Sequence, residues 1–257
     1  MSESQVKKIK VCIAGSTGWV GRPLSEAVDA APDLELVGGV SRSGPATFSS
    51  VAEALDAKAT DVLVEYTSAA AVRENVRAAL ERGVHVVVGS SGLSGEDYAG
   101  IDALARERNV GVIAAGNFSL TAALVLRFAT EAARHLDSWE VIDFASATKP
   151  DAPSGTAREL AERLEAVRAP VIGVPLEEVL GPAGARGANV AGTQVHSLRL
   201  PSFSVSTEAV FAGEGEHLSI RHDAGESAAP YIGGTLLAIR TVPRRVGLTR
   251  GLDQLLG

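Results

Sequence analysis

Residues 9–14 read Ile-Lys-Val-Cys-Ile-Ala, a short β-branched apolar run. Residues 24–31 then carry Leu24, Ala27 and Val28 on one helical face and stop at Pro32. Apolar positions three to four apart mark a helix, and a nearly continuous apolar run this short marks a buried strand. A second run at 34–40 completes a strand–helix–strand unit by Val40. The rhythm repeats, with strands at 61–66, 84–88 and 110–114 alternating with helices near 70–82 and 95–108. Continuous apolar strands separated by helices predict a parallel sheet covered on both faces, which makes this half of the chain a doubly wound α/β domain of Rossmann type.

After Asn117 the pattern changes. A long apolar helix at 121–135 leads into a strand at 139–144, a Pro/Gly-marked loop at 149–156 and a further helix at 157–168. Residues 193–199, 203–211 and 217–222 alternate apolar with polar positions, as half-buried antiparallel strands do. These elements predict a second, smaller domain of α+β type at 119–228. The final apolar helix near 231–240 and the tail are placed to return to the first sheet, so the first domain is expected to take 1–118 and 229–257.

Composition narrows the function. The chain has 257 residues, 46% of them apolar and 21% charged, which excludes a disordered or fibrous protein. No apolar run reaches the roughly 20 residues of a membrane span, and residues 1–8 lack the apolar stretch of a secretory signal, so the expected location is cytoplasmic. A net charge of −7 with scattered basic residues, and only 4% aromatic residues, argue against a nucleic-acid partner. The single cysteine, Cys12, cannot close an internal disulfide, and no Cys/His cluster is spaced to hold a metal. A small-molecule ligand remains.

Gly15-Ser16-Thr17-Gly18-Trp19-Val20-Gly21 lies between a strand and a helix, where a tight turn, a close backbone approach and helix–sheet contact each call for a missing Cβ. The helix N-terminus offers N–H groups to a pyrophosphate; the alternative is a plain tight turn. At the end of the second strand stand Ser41 and Arg42 with no acid, which points to NADPH, with NADH as the second choice, unless Arg42 is merely a solvated loop residue. Gly89-Ser90-Ser91-Gly92 and Ala115-Gly116-Asn117-Phe118 end later strands on the same side of the sheet. They are candidate contacts for the nicotinamide ring, or simple turns.

These loops, together with Glu65-Tyr66-Thr67, Asn117-Phe118-Ser119, Gly184-Ala185-Arg186-Gly187, residues 195–199 and 218–222, and above all Lys149-Pro150-Asp151-Ala152-Pro153-Ser154-Gly155-Thr156-Ala157, resemble the 4-hydroxy-tetrahydrodipicolinate reductase (dihydrodipicolinate reductase) family over almost the whole chain. The resemblance implies an NAD(P)H-dependent oxidoreductase of lysine and diaminopimelate biosynthesis. It implies hydride transfer to a cyclic unsaturated dicarboxylate, a dinucleotide-binding domain at 1–118 and 229–257, a substrate-binding and oligomerisation domain at 119–228, and a homotetramer. Lys149 corresponds to the active-site lysine, and Gly155 and Thr156 to the pair that binds a substrate carboxylate, with Ser146 and Ser154 beside them. A helix N-terminus suits an anion on physical grounds alone, although a Ser or Thr cap without a ligand is the plain alternative.

One position departs from the resemblance. The family carries a histidine four residues before its lysine as general acid, and here that position is Ala145, while all five histidines lie elsewhere. Loss of a positioned acid costs about 10²- to 10⁴-fold in rate. Three outcomes stay open: slow turnover with the proton from Lys149 or an ordered water; a different imine or carbonyl acid in the space freed by Ala145 and Ser146; or binding of nucleotide and dicarboxylate without turnover. Glu140 and Asp143 point to opposite faces of their strand, so at most one can serve the site. His196 and Arg199 sit on a strand of the second domain from which either could approach the substrate. His196 is the best placed remaining histidine, though a hydrogen-bonded structural role suits it better, and Trp19 either stacks on the cofactor or covers the helix.

Overall fold

A computed structural model describes residues 7–41 and 48–257. The chain divides into two compact units, Met1–Phe118 with Ala228–Gly257, and Ser119–Ser227.

In the first unit β1 (Ile9–Ala14), α1 (Gly21–Ala30), β2 (Leu34–Val40), α2 (Val51–Ala57), β3 (Val62–Glu65), α3 (Val72–Glu81), β4 (His85–Val88), α4 (Gly95–Glu107) and β5 (Gly111–Ala114) follow one another. The central strands β3, β4 and β5 are buried almost throughout, which is why their sequences show apolar runs and no alternation. They form a parallel sheet in the order β11-β5-β4-β3-β1-β2, where β11 (Gly247–Arg250) comes from the tail. The strand order reverses at β1, and ligands of open α/β sheets bind beyond the carboxyl ends at such a point. Leu24 and Val28 of α1 are fully buried, each contributing about 1.5–3 kcal/mol by removing its side chain from water. The C-terminal helix α7 (Ala229–Thr241) returns to this unit, tied to the α1–β2 turn by a two-pronged Arg240–Asp33 ion pair at 2.7 and 2.9 Å. Cys12 lies inside the sheet, and burial pushes its thiol up to about 12, so it carries no thiolate at neutral pH.

The second unit has α5 (Leu120–Ala132), β6 (Ser138–Ser146), α6 (Gly155–Glu165), β7 (Ala188–Val190), β8 (Thr193–Leu200), β9 (Val205–Gly213) and β10 (Glu216–Asp223). The sheet order is β10-β9-β6-β8-β7. It is mixed, which corrects the antiparallel expectation: β9 runs antiparallel to β6 and β10, but β8 runs parallel to β6. Alternation reveals which face is covered and is silent on direction. The α6 crossover between β6 and β8 supplies the long connection that a parallel pair needs. One face of the sheet, with Trp139, Val141, Val195, Ala209 and Phe211, forms a core with Leu126, Ala129, Leu160 and Leu164 of α5 and α6.

His85, at the start of β4, accepts a hydrogen bond at Nδ1 from the Gly111 amide of β5 at 2.9 Å. Burial holds this half-buried imidazole below its ordinary pKa, partly opposed by Asp61. Protonation would turn the acceptor into a donor. As pH falls through about 6.5 the unfolded chain takes up the proton first, so stability is full above that value and declines below it. Urea unfolding of His85→Asn, which keeps an acceptor that does not titrate, should show a smaller loss of midpoint than the parent between about pH 7.5 and about pH 5.5.

Candidate active site

Gly15 ends β1 with φ +85°, and a Cβ there would lie 2.1 Å from the Tyr66 carbonyl oxygen. Gly21 opens α1 so close to the preceding turn that a Cβ would meet the Gly15 carbonyl oxygen at 2.0 Å. Between them the Gly18 amide donates to the Gly15 carbonyl at 2.9 Å, and the Gly15 and Ser16 amides both donate to the Val40 carbonyl at the end of β2. The turn is therefore held over the β1–β2 end of the sheet, where Thr17 and Ser41 join hydroxyl to hydroxyl at 2.5 Å. No side chain caps α1 and no acid stands in its first turn. A cradle of backbone that a Cβ would fill, opening an uncapped helix, fits a dinucleotide pyrophosphate. Val20 stands at the N-cap position. Trp19 is exposed and meets the Tyr231 ring of α7 edge-on at 5.6 Å. Arg42 lies outside the described residues.

Of the two later loops, the first owes its glycine to a different cause from the expected ligand approach. A Cβ on Gly89 would lie 2.1 Å from the Tyr66 ring, which is partly buried against it and joins its hydroxyl to that of Thr235 of α7 at 2.8 Å. Ser90 and Ser91 follow at the surface, Ser91 the more exposed. Ala115 hangs from the Val88 carbonyl by its amide at 3.3 Å. Gly116 and Asn117 stay at least partly accessible, whereas the Phe118 ring is 6.0 Å from Tyr66 in the core. Its side chain is spent on packing and is unavailable to a cofactor.

In the second unit the loop after β6 carries Lys149, whose Nζ lies 2.8 Å from Asp151 Oδ1. The loop ends at Ser154, the N-cap of α6, whose Oγ accepts from the Ala157 amide. Ser154 is buried and its hydroxyl is spent on the cap, which corrects the expectation that it touches substrate. Gly155 and Thr156 are half-buried in a first turn that holds no acid, whereas the first turn of α4 carries Glu96 and Asp97 with a full Ser94–Asp97 capping box. Ser146 is also reassigned. Strand alternation puts it with Phe144 on the face opposite Asp143 and Ala145, and its hydroxyl meets Thr148 at 3.1 Å. Ala145 is itself fully buried, so these two residues do not line one freed pocket.

Asp143 and Arg199 emerge as the residues the sequence reading undervalued. Asp143 has no exposed surface. Its Oδ2 accepts from the Ser154 amide at 2.9 Å, the Ser197 hydroxyl at 3.1 Å and Arg199 Nη2 at 2.8 Å. An acid in phase with Trp139, Val141 and Ala145 on a core-facing strand was the signal that could have found it. Glu140 lies on the other face with His196, 2.6 Å from its Nε2, and with Arg186. Burial would raise the Glu140 pKa, but the hydrogen bonds from His196 and Arg186 outweigh it and hold the carboxyl below its ordinary value. That pairing gives His196 a structural role. His222, buried on β10, accepts or donates to Thr121 at 3.0 Å, and burial lowers its pKa.

A parallel sheet with a glycine cradle at its switch point, joined in sequence to a mixed-sheet unit, is the architecture of a nicotinamide-dependent oxidoreductase of two-domain Rossmann type. Residues 9–118 match the family model for the dihydrodipicolinate reductase N-terminus and residues 121–256 that for its C-terminus. The 4-hydroxy-tetrahydrodipicolinate reductase of Cutibacterium acnes is 39% identical over 97% of this chain and 99% of its own length, and that of Moorella thermoacetica 37% identical over 98% and 99%. A dipicolinate-bound dihydrodipicolinate reductase from Paenisporosarcina sp. TG-14 superposes with a TM-score of 0.79 at 29% identity, over 97% of this chain and all of its own. An amine dehydrogenase from Mycobacterium smegmatis, at 14% identity and a TM-score of 0.62, shares the fold. The chain belongs to the dihydrodipicolinate reductase family and is a pyridine-nucleotide-dependent reductase.

Proposed function

We propose that this reductase uses NADPH to reduce a cyclic unsaturated dicarboxylate, and that its second unit receives the substrate at the turn running from Lys149 to Thr156. The observation that carries this reading is the geometry of that turn. A helix start without an acid presents the backbone N–H groups of Gly155 and Thr156, and an ammonium three residues before the loop's cis Ala152–Pro153 bond adds a full positive charge. The dicarboxylate in the Paenisporosarcina relative, named dipicolinate, has the same anionic character.

When bound, the reduced nicotinamide supplies a hydride. The chain's part is to hold the nucleotide and the ring acid and to manage one proton. The Gly15–Gly21 cradle takes the pyrophosphate on the N-terminus of α1. Ser41, already joined to Thr17, and Arg42 take the 2′-phosphate, and Gly89, Ser90, Ser91, Ala115, Gly116 and Asn117 border the ring. With alanine in place of an imidazole at 145, the proton comes from Lys149 or from water beside it. Lys149 is the one strong donor on the loop and leaves Asp151 for the substrate carboxylate.

The protein works in the cytoplasm as a homotetramer. The outer face of the second sheet, where Ile142 and Val210 line a cavity of about 520 Å³ and Leu198 and Leu200 of β8 are exposed, is the surface that joins copies. No helix among the described residues is long and apolar enough to cross a membrane.

Two experiments test this reading. NADPH oxidation with freshly generated hydroxytetrahydrodipicolinate should proceed, and Lys149→Met should lower kcat/KM by about 100-fold while NADPH binding, read by calorimetry, is unchanged. A parent protein that oxidises no NADPH, or a Met variant as active as the parent, contradicts it. Arg42→Ala should weaken NADPH about tenfold and leave NADH within twofold, a difference of one charged hydrogen bond. Equal weakening of both means that Arg42 does not read the phosphate.

A further inference from the structure

Asp143 sits between Val141 and Ala145 on the covered face of β6, with no surface in water. A buried carboxylate must be hydrogen-bonded and paired or it destabilises the fold. Oδ2 meets this demand with three donors from separate parts of the chain: the Ser154 amide that opens α6, and the Ser197 hydroxyl and Arg199 guanidinium of β8. Oδ1, and Thr207 Oγ1 opposite it in the β6–β9 register, have no partner among the described residues. All the bonding of this carboxylate is thus directed toward α6 and β8. Arg199 then carries the connection outward. Its Nε and Nη2 both donate to the Asp151 carbonyl oxygen, at 3.3 and 2.6 Å, and the Asp151 carboxylate holds Lys149 at 2.8 Å.

The geometry points to Asp143 and Arg199 as positioning residues: a buried ion pair that clamps the 149–155 loop at its middle and at its end, so that the Lys149 ammonium and the first turn of α6 form one preorganised receiver for the ring acid. This inference rests on the reading of that turn as the substrate's anion site. The clamp replaces loop freedom with fixed geometry, and preorganisation of this kind lowers the entropic cost of binding. Lys149 and the α6 N–H groups stand on opposite sides of the clamp, and without it each is free to take its own position. The part of the cradle that binds nucleotide belongs to the other unit and makes none of these bonds.

Arg199→Lys keeps a cation for Asp143 but cannot reach the Asp151 carbonyl with a second planar N–H, and Asp143→Asn keeps the volume and removes the charge. Both variants should bind pyridine-2,6-dicarboxylate about tenfold more weakly by calorimetry and raise KM for the ring substrate to match, with the dissociation constant of NADPH unchanged. Amide hydrogen exchange should quicken about tenfold at residues 149–156 and stay at the parental rate in α5 and β9. Asp143→Glu, one methylene longer with the charge kept, should recover part of the lost affinity.

Parental dicarboxylate affinity and parental exchange in Arg199→Lys overturn the inference, as does faster exchange spread evenly over the second unit, which marks a purely structural ion pair. If Asp143→Asn fails to fold, Arg199→Lys decides alone. Quickened exchange confined to 149–156 in a protein whose parent binds no dicarboxylate supports the clamp and removes the substrate reading instead.

Discussion

A carboxylate without water must be surrounded by donors, and in the second unit that single requirement brings β6, β8 and the start of α6 to one point. Asp143 answers it through Oδ2 alone, with one backbone amide, one hydroxyl and one guanidinium, none of them from its own strand. Replacing such a pair with apolar residues is often harmless to stability, whereas removing one partner is costly. A buried ion pair that fixes the path of a loop is therefore better explained by what the loop must present than by the energy of the pair. The loop presents Lys149 and the N-terminus of α6.

The first unit obeys a different constraint, which is crowding. At the carboxyl ends of β1, β3 and β4 the backbones and the Tyr66 ring approach more closely than a Cβ allows at Gly15, Gly21 and Gly89. Two of these glycines shape the cradle over the helix start, and the third makes room for a ring that locks α7 to the sheet through Thr235. The same residue type thus serves ligand geometry in one loop and internal packing in another. Glycine in a loop is a statement about space, and only the neighbours say whose space it is.

Strand–helix alternation in the first unit is legible because its central strands, β3, β4 and β5, are buried almost throughout and read as apolar runs. α2 was passed over although Ser50 and Glu53 carry its signature, with Ser50 Oγ accepting the Glu53 amide. β11 could not be read, since Gly247-Leu248-Thr249-Arg250 has no pattern of its own and becomes a strand by joining β5. The parallel direction of β8 was hidden for the same reason: alternation encodes a face and leaves the partner open. In the candidate site, motif and helix position single out Lys149, Gly155 and Thr156, the residues of the proposed anion receiver. Ser154 was misread because a cap and a ligand contact ask for the same hydroxyl. Asp143 was visible as a polar residue in core phase, but its partners lie 11 and 56 residues away, and no local pattern announces them.

The central claim is that a doubly anionic ring is received where α6 begins. A crystal structure of the protein grown with NADPH and pyridine-2,6-dicarboxylate tests it most directly. One ring carboxylate should lie about 3 Å from the Gly155 and Thr156 amide nitrogens, with Lys149 Nζ swung from Asp151 onto the ligand. A ligand bound elsewhere, with Lys149 still on Asp151 and nothing at the helix start, would contradict it.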